Sequence, residues 1–168
     1  MRLPTRKKEL ERQQTEEFDV YVTKEKLERM KRDVQRLETK ERGEAAAEVV
    51  RTGEMGDFSE NAGYQWAKAN LRRINGRILT LTEKINRAII IDETSSDGVI
   101  RIGSTVTIRA NDREFTYQIL GSQETNPSLG RISHNSPIGQ ALLGHRVGDR
   151  IDHVRGGVTI AYDVIAVR

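Results

Sequence analysis

Two carboxylates, Asp57 and Glu60, sit three residues apart in Gly56-Asp57-Phe58-Ser59-Glu60-Asn61. Carboxylate oxygens are hard donors, and Mg²⁺ commonly takes one or two of them together with waters and substrate phosphates. Two side chains alone would hold it weakly, so a partner would have to supply the remaining ligands. The same spacing also has a local reading. Asp57 can cap a helix and Glu60 can reach back as the capping-box partner, with the helix dipole favouring both charges. The two readings are compatible, since Asp57 can cap in one state and coordinate in another.

A second group of side chains follows. Residues 61–91 hold Lys68, Arg72, Arg73, Arg77, Lys84 and Arg87 against a single acid, Glu83. Lys68 with Arg72 and Arg73 with Arg77 are like-charged i,i+4 pairs, which cost an isolated helix a few tenths of a kcal/mol. Contact with the phosphates of RNA or DNA would repay that cost; a merely solvated face is the alternative. Phe58 either packs back or contacts a partner. Trp66 falls off the apolar seam of its helix and reads as an exposed contact. His134, His145 and His153 fall in no ligand spacing and read as surface residues, and no Ser–His–Asp arrangement is supported.

The 168 residues suffice for one ordinary domain or two small ones. With 36% hydrophobic and 32% charged residues the chain is polar for a globule, yet too apolar for complete disorder. There is no cysteine, which excludes disulfides, thiol catalysis and Cys-based metal sites. The longest apolar run, Ala88-Ile89-Ile90-Ile91, is far short of a membrane span. No apolar h-region occupies the first twenty residues. A cytoplasmic protein without a membrane partner is expected. Residues 1–92 carry a net charge of +3 and residues 93–168 a net charge of zero.

The elements that must position these side chains fall into two halves. Residues 1–19 read as a charged, flexible arm. From Thr23, a candidate N-cap, Leu27, Met30, Val34 and Leu37 recur at steps of three and four, the seam of a helix over Thr23–Arg51. That seam lapses at Glu41 and Glu44, where a loose stretch of coil is expected. Tyr64, Ala67, Leu71, Ile74, Ile78, Leu81, Ile85 and Ala88 form a second seam over Glu60–Ala88. Each helix would be about 43 Å long at ~1.5 Å per residue. Two helices of equal length around a short Gly-containing turn make an antiparallel hairpin over 20–91, a finger tipped by 53–61. Residues 92–98 read as a linker. Over 99–168, alternation around Asn111-Asp112 and around Arg155-Gly156-Gly157 predicts two β-hairpins. Between them, Ser136-Pro137-Ile138 to Gly144 describes one short capped helix. The expected class is α+β.

The tip sequence, the Tyr64 and basic helix behind it, and Ser133-His134-Asn135-Ser136-Pro137-Ile138-Gly139 followed by Ala141-Leu142-Leu143-Gly144 and Val147-Gly148-Asp149 resemble the Gre family of bacterial transcript cleavage factors. The resemblance covers roughly residues 20–168. Tyr64-Gln65 with Lys68, Leu71-Arg72 and Ile74 looks more like GreB than GreA. Gly63 stands where the family often carries an acid, and the arm before residue 20 is longer than the family core.

The resemblance implies an FKBP-like C-terminal domain that docks on RNA polymerase, with Phe58, Ser136, Pro137 and Ile138 as partner contacts. It implies a coiled coil that enters the secondary channel. Asp57 and Glu60 would serve there as catalytic tip acids and would share a Mg²⁺ with the polymerase, none being bound stably by the free protein. Lys68, Arg72, Arg73 and Arg77 would contact the backtracked nascent RNA 3′ end. The factor would not be an enzyme itself but would stimulate the polymerase's own endonucleolytic activity, and would be monomeric when free. The alternatives are a channel-binding regulator or inhibitor without cleavage activity, and a coiled-coil RNA-binding adaptor.

Overall fold

The computed structural model describes residues 20–54, 62–91 and 98–168. The expected arm (1–19), most of the expected tip and most of the linker lie outside the described residues. Two compact units are present, one being Glu25–Ala88 and the other residues 20–24 with Ile89–Arg168. The division falls inside the expected hairpin segment 20–91: its ends belong with the C-terminal unit. They pair there as two short parallel strands, β1 (Tyr21–Val22) and β2 (Ile89–Ile90), with Tyr21 opposite Ile89.

The helical unit is an α-helical pair. The first helix runs as α1 (Lys24–Arg36), a π-helical turn (Leu37–Glu41) and α2 (Arg42–Gly53); the second is α3 (Ala62–Asn86). Leu37, Ala45 and Ile74 are buried together, with Leu71, Ile78 and Leu81 packed against them. Met30, Thr52 and Ala67 are buried as well. The hydroxyl of Thr52 donates to the Glu48 carbonyl at 2.7 Å, so its burial leaves no unpaired donor.

The π turn sits where the seam lapses. Ala45 lies eight positions after Leu37, and a step of eight in plain α-helix would swing Ala45 about 80° off the Leu37 line. A π turn holds one more residue than an α turn. It absorbs the surplus and returns Ala45 and Thr52 to the buried side. The expected looseness is therefore a local change of helix type, with the packing retained. Deleting the exposed Lys40 should convert the turn to α-helix and leave a step of seven between the two seam positions. Thermal unfolding should then occur within about 3 °C of wild type or higher; a fall of about 10 °C or more would mean that the π turn is itself required.

The C-terminal unit carries a five-stranded sheet. Its strands are β3 (Thr105–Ala110), β4 (Arg113–Leu120), β5 (Arg131–Ser133), β6 (Arg150–Arg155) and β7 (Val158–Val167), in spatial order β5-β4-β3-β7-β6. All neighbours are antiparallel except β4 and β5. Both expected hairpins form. Asn111 and Asp112 take φ of +48° and +59°, and Gly156 and Gly157 take +60° and +83°, the paired positive values of a two-residue turn matched to strand twist. One short helix, α4 (Pro137–Leu142), completes the unit. Leu142 is buried with Ile100, Val106, Ile108, Ile119, Ile151 and Val164, and Ile138 and Ala141 pack on that core. The fold is α+β, as the sequence predicts.

One expectation fails in this unit. His134, read as a surface residue, is buried. Its ring meets Tyr21 edge-on at 5.3 Å between centroids, and its Nδ1 lies 3.3 Å from the Leu120 carbonyl oxygen. β5 and the turn after it carry His134 onto β1, a strand more than a hundred residues earlier. No local spacing signals that. Beside it, the Glu124 carboxylate accepts from both the backbone N–H and the hydroxyl of Thr23, each at 2.7 Å.

Candidate functional site

Asp57, Phe58 and Glu60 lie outside the described residues. Their place in the chain is nonetheless defined by what flanks them: α2 closes at Gly53, the Glu54 N–H bonding to the Val50 carbonyl, and α3 opens at Ala62. The two acids thus lie in the chain between α2 and α3, whose buried residues pack together. Among the described residues no group of three or more His, Cys, Asp or Glu side chains could hold a metal ion. Carboxylate oxygens of the kind carried by Asp57 and Glu60 are of the hard type that Mg²⁺ takes.

The cations of α3 lie within the helical unit, and the helix sorts them. Residues spaced by four, seven and eleven share one face, which aligns Trp66, Asn70, Arg73 and Arg77. Arg73 donates to Asn70 Oδ1 at 2.8 Å along that line. Tyr64, Lys68 and Arg72 follow the other flank of the seam. Lys68 Nζ sits 4.8 Å from the centroid of the Tyr64 ring, a cation–π contact. The four expected nucleic-acid contacts are thus two pairs on two flanks. Arg72, Arg73 and Arg77 are exposed, Lys68 half-buried. Trp66 is 65% exposed, in keeping with its place off the seam.

The first helix treats its charges differently. Arg29 pairs with Glu25, Lys31 with Glu28, Arg36 with Asp33 and Arg51 with Glu48, all within 3.3 Å. These exposed pairs contribute little to stability, but they neutralise the surface. On α3 no acid precedes Glu83, so Arg72 and Arg77 have no acidic partner among the described residues. The positive potential is concentrated on the second helix.

The third expected contact region is the N-terminus of α4. Ser136 caps it: its Oγ accepts from the Gly139 N–H at 3.1 Å and donates to the Ser133 carbonyl at 2.6 Å. Pro137 occupies the first helical position and is exposed. Ile138 is half-buried against the sheet core, so it anchors the helix more than it presents surface. After α4, the Arg146 N–H donates to Asp149 Oδ2 at 2.8 Å and holds the Asp149 carboxyl below its ordinary pKa; His145 Nδ1, 3.3 Å away, acts in the same sense. This turn is local structure, and its groups are mutually satisfied.

On the outer face of the sheet a shallow cavity of about 360 Å³ is lined by Arg109, Asp112, Arg150 and Asp163 among others. Strand pairing places Glu114, Arg109, Asp163 and Arg150 in one row across four strands, with alternating sign. Arg109 bonds Glu114 at 2.7 Å and Arg150 lies 3.9 Å from Asp163. The row cancels its own charge, and this face is no phosphate track. No described helix is long and apolar enough to cross a membrane.

Sequence reasoning did not find the Thr23–Glu124 and Tyr21–His134 contacts, for which no signal exists at that separation. The two-flank sorting of the cations was available from helical spacing. Comparison with known proteins agrees with the domain order. Residues 20–90 match the family model described as Transcription elongation factor, N-terminal, and residues 95–168 match Transcription elongation factor, GreA/GreB, C-term. Transcription elongation factor GreA of Chloroflexus aggregans is 43% identical over 146 residues, 84% of this chain and 93% of that one. The protein of the same name from Thermomicrobium roseum is 39% identical over 149 residues, 88% and 96% of the two chains. These relatives bear the GreA name, where the residues of α3 alone leaned toward GreB; the family model spans both. Among solved structures, the GreA factor homolog Gfh1 of Thermus thermophilus is 30% identical, covering 89% of this chain and 99% of that one, with a TM-score of 0.41.

Proposed function

Because the chain belongs to the GreA/GreB family of transcription elongation factors, we propose that it binds RNA polymerase, inserts its helical hairpin into the secondary channel and stimulates cleavage of the 3′ segment of backtracked RNA. The observation that carries this reading is the hairpin itself. Its seams pack against each other, and Asp57 and Glu60 fall in the chain between its two helices. The helix that follows carries Lys68, Arg72, Arg73 and Arg77 with no acid of its own before Glu83.

The chemistry asked of the chain is small. Mg²⁺ shared with the polymerase centre would supply Lewis-acid activation of a phosphodiester and of the attacking water. Asp57 and Glu60 would donate carboxylate oxygens toward that centre and accept a hydrogen bond from the water, orienting it. Arg72, Arg73, Arg77 and Lys68 would attract the extruded polyanion. The docking surface would lie on the C-terminal unit around Ser136 and Pro137. The chain by itself would hold an incomplete centre and would act only in the complex.

The test is to halt an elongation complex in a backtracked register, add the protein with Mg²⁺ and resolve RNA lengths. Shortened RNA and resumed elongation are expected. Polymerase binding with no shortened RNA at any Mg²⁺ concentration would overturn cleavage stimulation and leave a channel-binding regulator. Binding to free RNA without affinity for polymerase would leave an RNA-binding adaptor.

A further inference from the structure

We propose that Trp66 is a base-stacking residue and that Trp66, Arg73 and Arg77 form a track for single-stranded RNA that favours purines. The proposal rests on the reading that this helix meets an RNA 3′ segment, and adds to it a residue and a preference. Trp66 is the sole tryptophan and is 65% exposed. It takes no part in the buried cluster of the hairpin, and among the described residues it has no ring or hydrogen-bond partner. Among the described residues the indole thus has no packing partner that would explain so large an apolar surface in water.

Its neighbours along the same line supply the rest. Arg73 and Arg77 follow at seven and eleven residues, spanning about 17 Å of helix. Arg73 is steadied by its bond to Asn70 and keeps further donors on its guanidinium. No acid lies on α3 before Glu83, so a phosphate backbone laid along this line meets no carboxylate of α3 itself. An aromatic ring followed by a row of cations is the composition that binds single strands, the ring taking a base and the cations its phosphates. The other flank differs, because its aromatic, Tyr64, is already covered by Lys68. Stacking grows with the area of the base, so adenine should outbind uracil at Trp66.

Tryptophan fluorescence of the full-length protein, excited beyond the tyrosine absorption, reads Trp66 alone. Titration with oligoadenylate and with oligouridylate at low salt should quench it saturably, with adenylate binding about 5-fold tighter. Read by anisotropy of labelled RNA, Trp66→Ala should lose that preference and Trp66→Phe should keep part of it. The double variant Arg73→Ala/Arg77→Ala should weaken both RNAs alike and lower the salt slope by about 1.4. Lys68→Ala/Arg72→Ala should leave the preference intact. Circular dichroism should show all variants folded, since every altered side chain lies outside the buried core. Equal affinity for the two RNAs, an unchanged preference in Trp66→Ala, or no binding up to about 1 mM nucleotide would overturn the proposal. The experiment needs no polymerase. Purine-selective binding without RNA shortening in backtracked complexes would therefore sink the proposed function and leave the track standing; the converse result would do the opposite.

Discussion

Asp57→Asn or Glu60→Gln should leave the affinity for RNA polymerase within about 2-fold of wild type and lower RNA shortening by about 100-fold or more. Each change keeps the size of the side chain and removes one negative charge. An amide oxygen is a poorer ligand for a hard divalent cation than a carboxylate oxygen. It also cannot accept a proton from an attacking water as a carboxylate can. Binding should survive because the docking contacts expected around Ser136 and Pro137 are untouched. The capping reading makes a different forecast. Asparagine caps a helix about as well as aspartate, so a tip that served only as a cap would leave Asp57→Asn active. Equal RNA shortening by wild type and both variants would reduce the two acids to local structure. A thermal unfolding curve for each variant, expected within about 2 °C of wild type, separates loss of chemistry from loss of fold.

Gly139→Ala should be the most damaging single methyl in the C-terminal unit. A β-carbon at this position would overlap the Ser133 carbonyl oxygen and come within 2.9 Å of Ser136 Oγ and 3.1 Å of the His134 α-carbon. Two of these are backbone atoms, which cannot rotate away. The Ser133 carbonyl also receives the Ser136 hydroxyl, so moving it breaks the cap of α4. Overpacking costs about 1–3 kcal/mol, and loss of the cap costs about 1 kcal/mol more. In a domain of this size that corresponds to a fall of roughly 10 °C or more in the unfolding temperature. Polymerase binding should weaken along with stability, since the region around Ser136 and Pro137 is built on the same turn. By contrast, Gly144→Ala meets open space and is opposed only by its φ of +83°. Its effect should be smaller, about 1 kcal/mol. Unfolding curves of the two variants, run side by side, check the order.

Much of this was legible in the residues alone. Steps of three and four from Leu27 to Leu37 and from Tyr64 to Ala88 specify two amphipathic helices, because a helix places such residues on one side whatever surrounds it. Asn111-Asp112 and Gly156-Gly157 specify their hairpins because those types tolerate the positive φ that a tight turn between twisted strands demands. Ser136 and Pro137 specify the start of α4 through a cap that involves only residues within three positions of Ser136. The candidate chemistry rests on sequence proximity in the same way: Asp57, Glu60 and the cations of α3 stand close together in the chain.

What stayed hidden depends on residues far apart in sequence. Glu41 and Glu44 interrupt the first seam, and only packing against Ile74 shows that a π turn keeps Leu37 and Ala45 buried on one side. His134 looks polar and peripheral until Tyr21 is laid against it, and Thr23 looks like a simple cap until both its donors meet Glu124. Local patterns set helices, turns and the order of the charged groups, since backbone propensity and side-chain period act over a few residues. Tertiary structure alone decided which polar groups were buried and with what partner, since the energy of such contacts comes from surfaces that the chain brings together only when it folds.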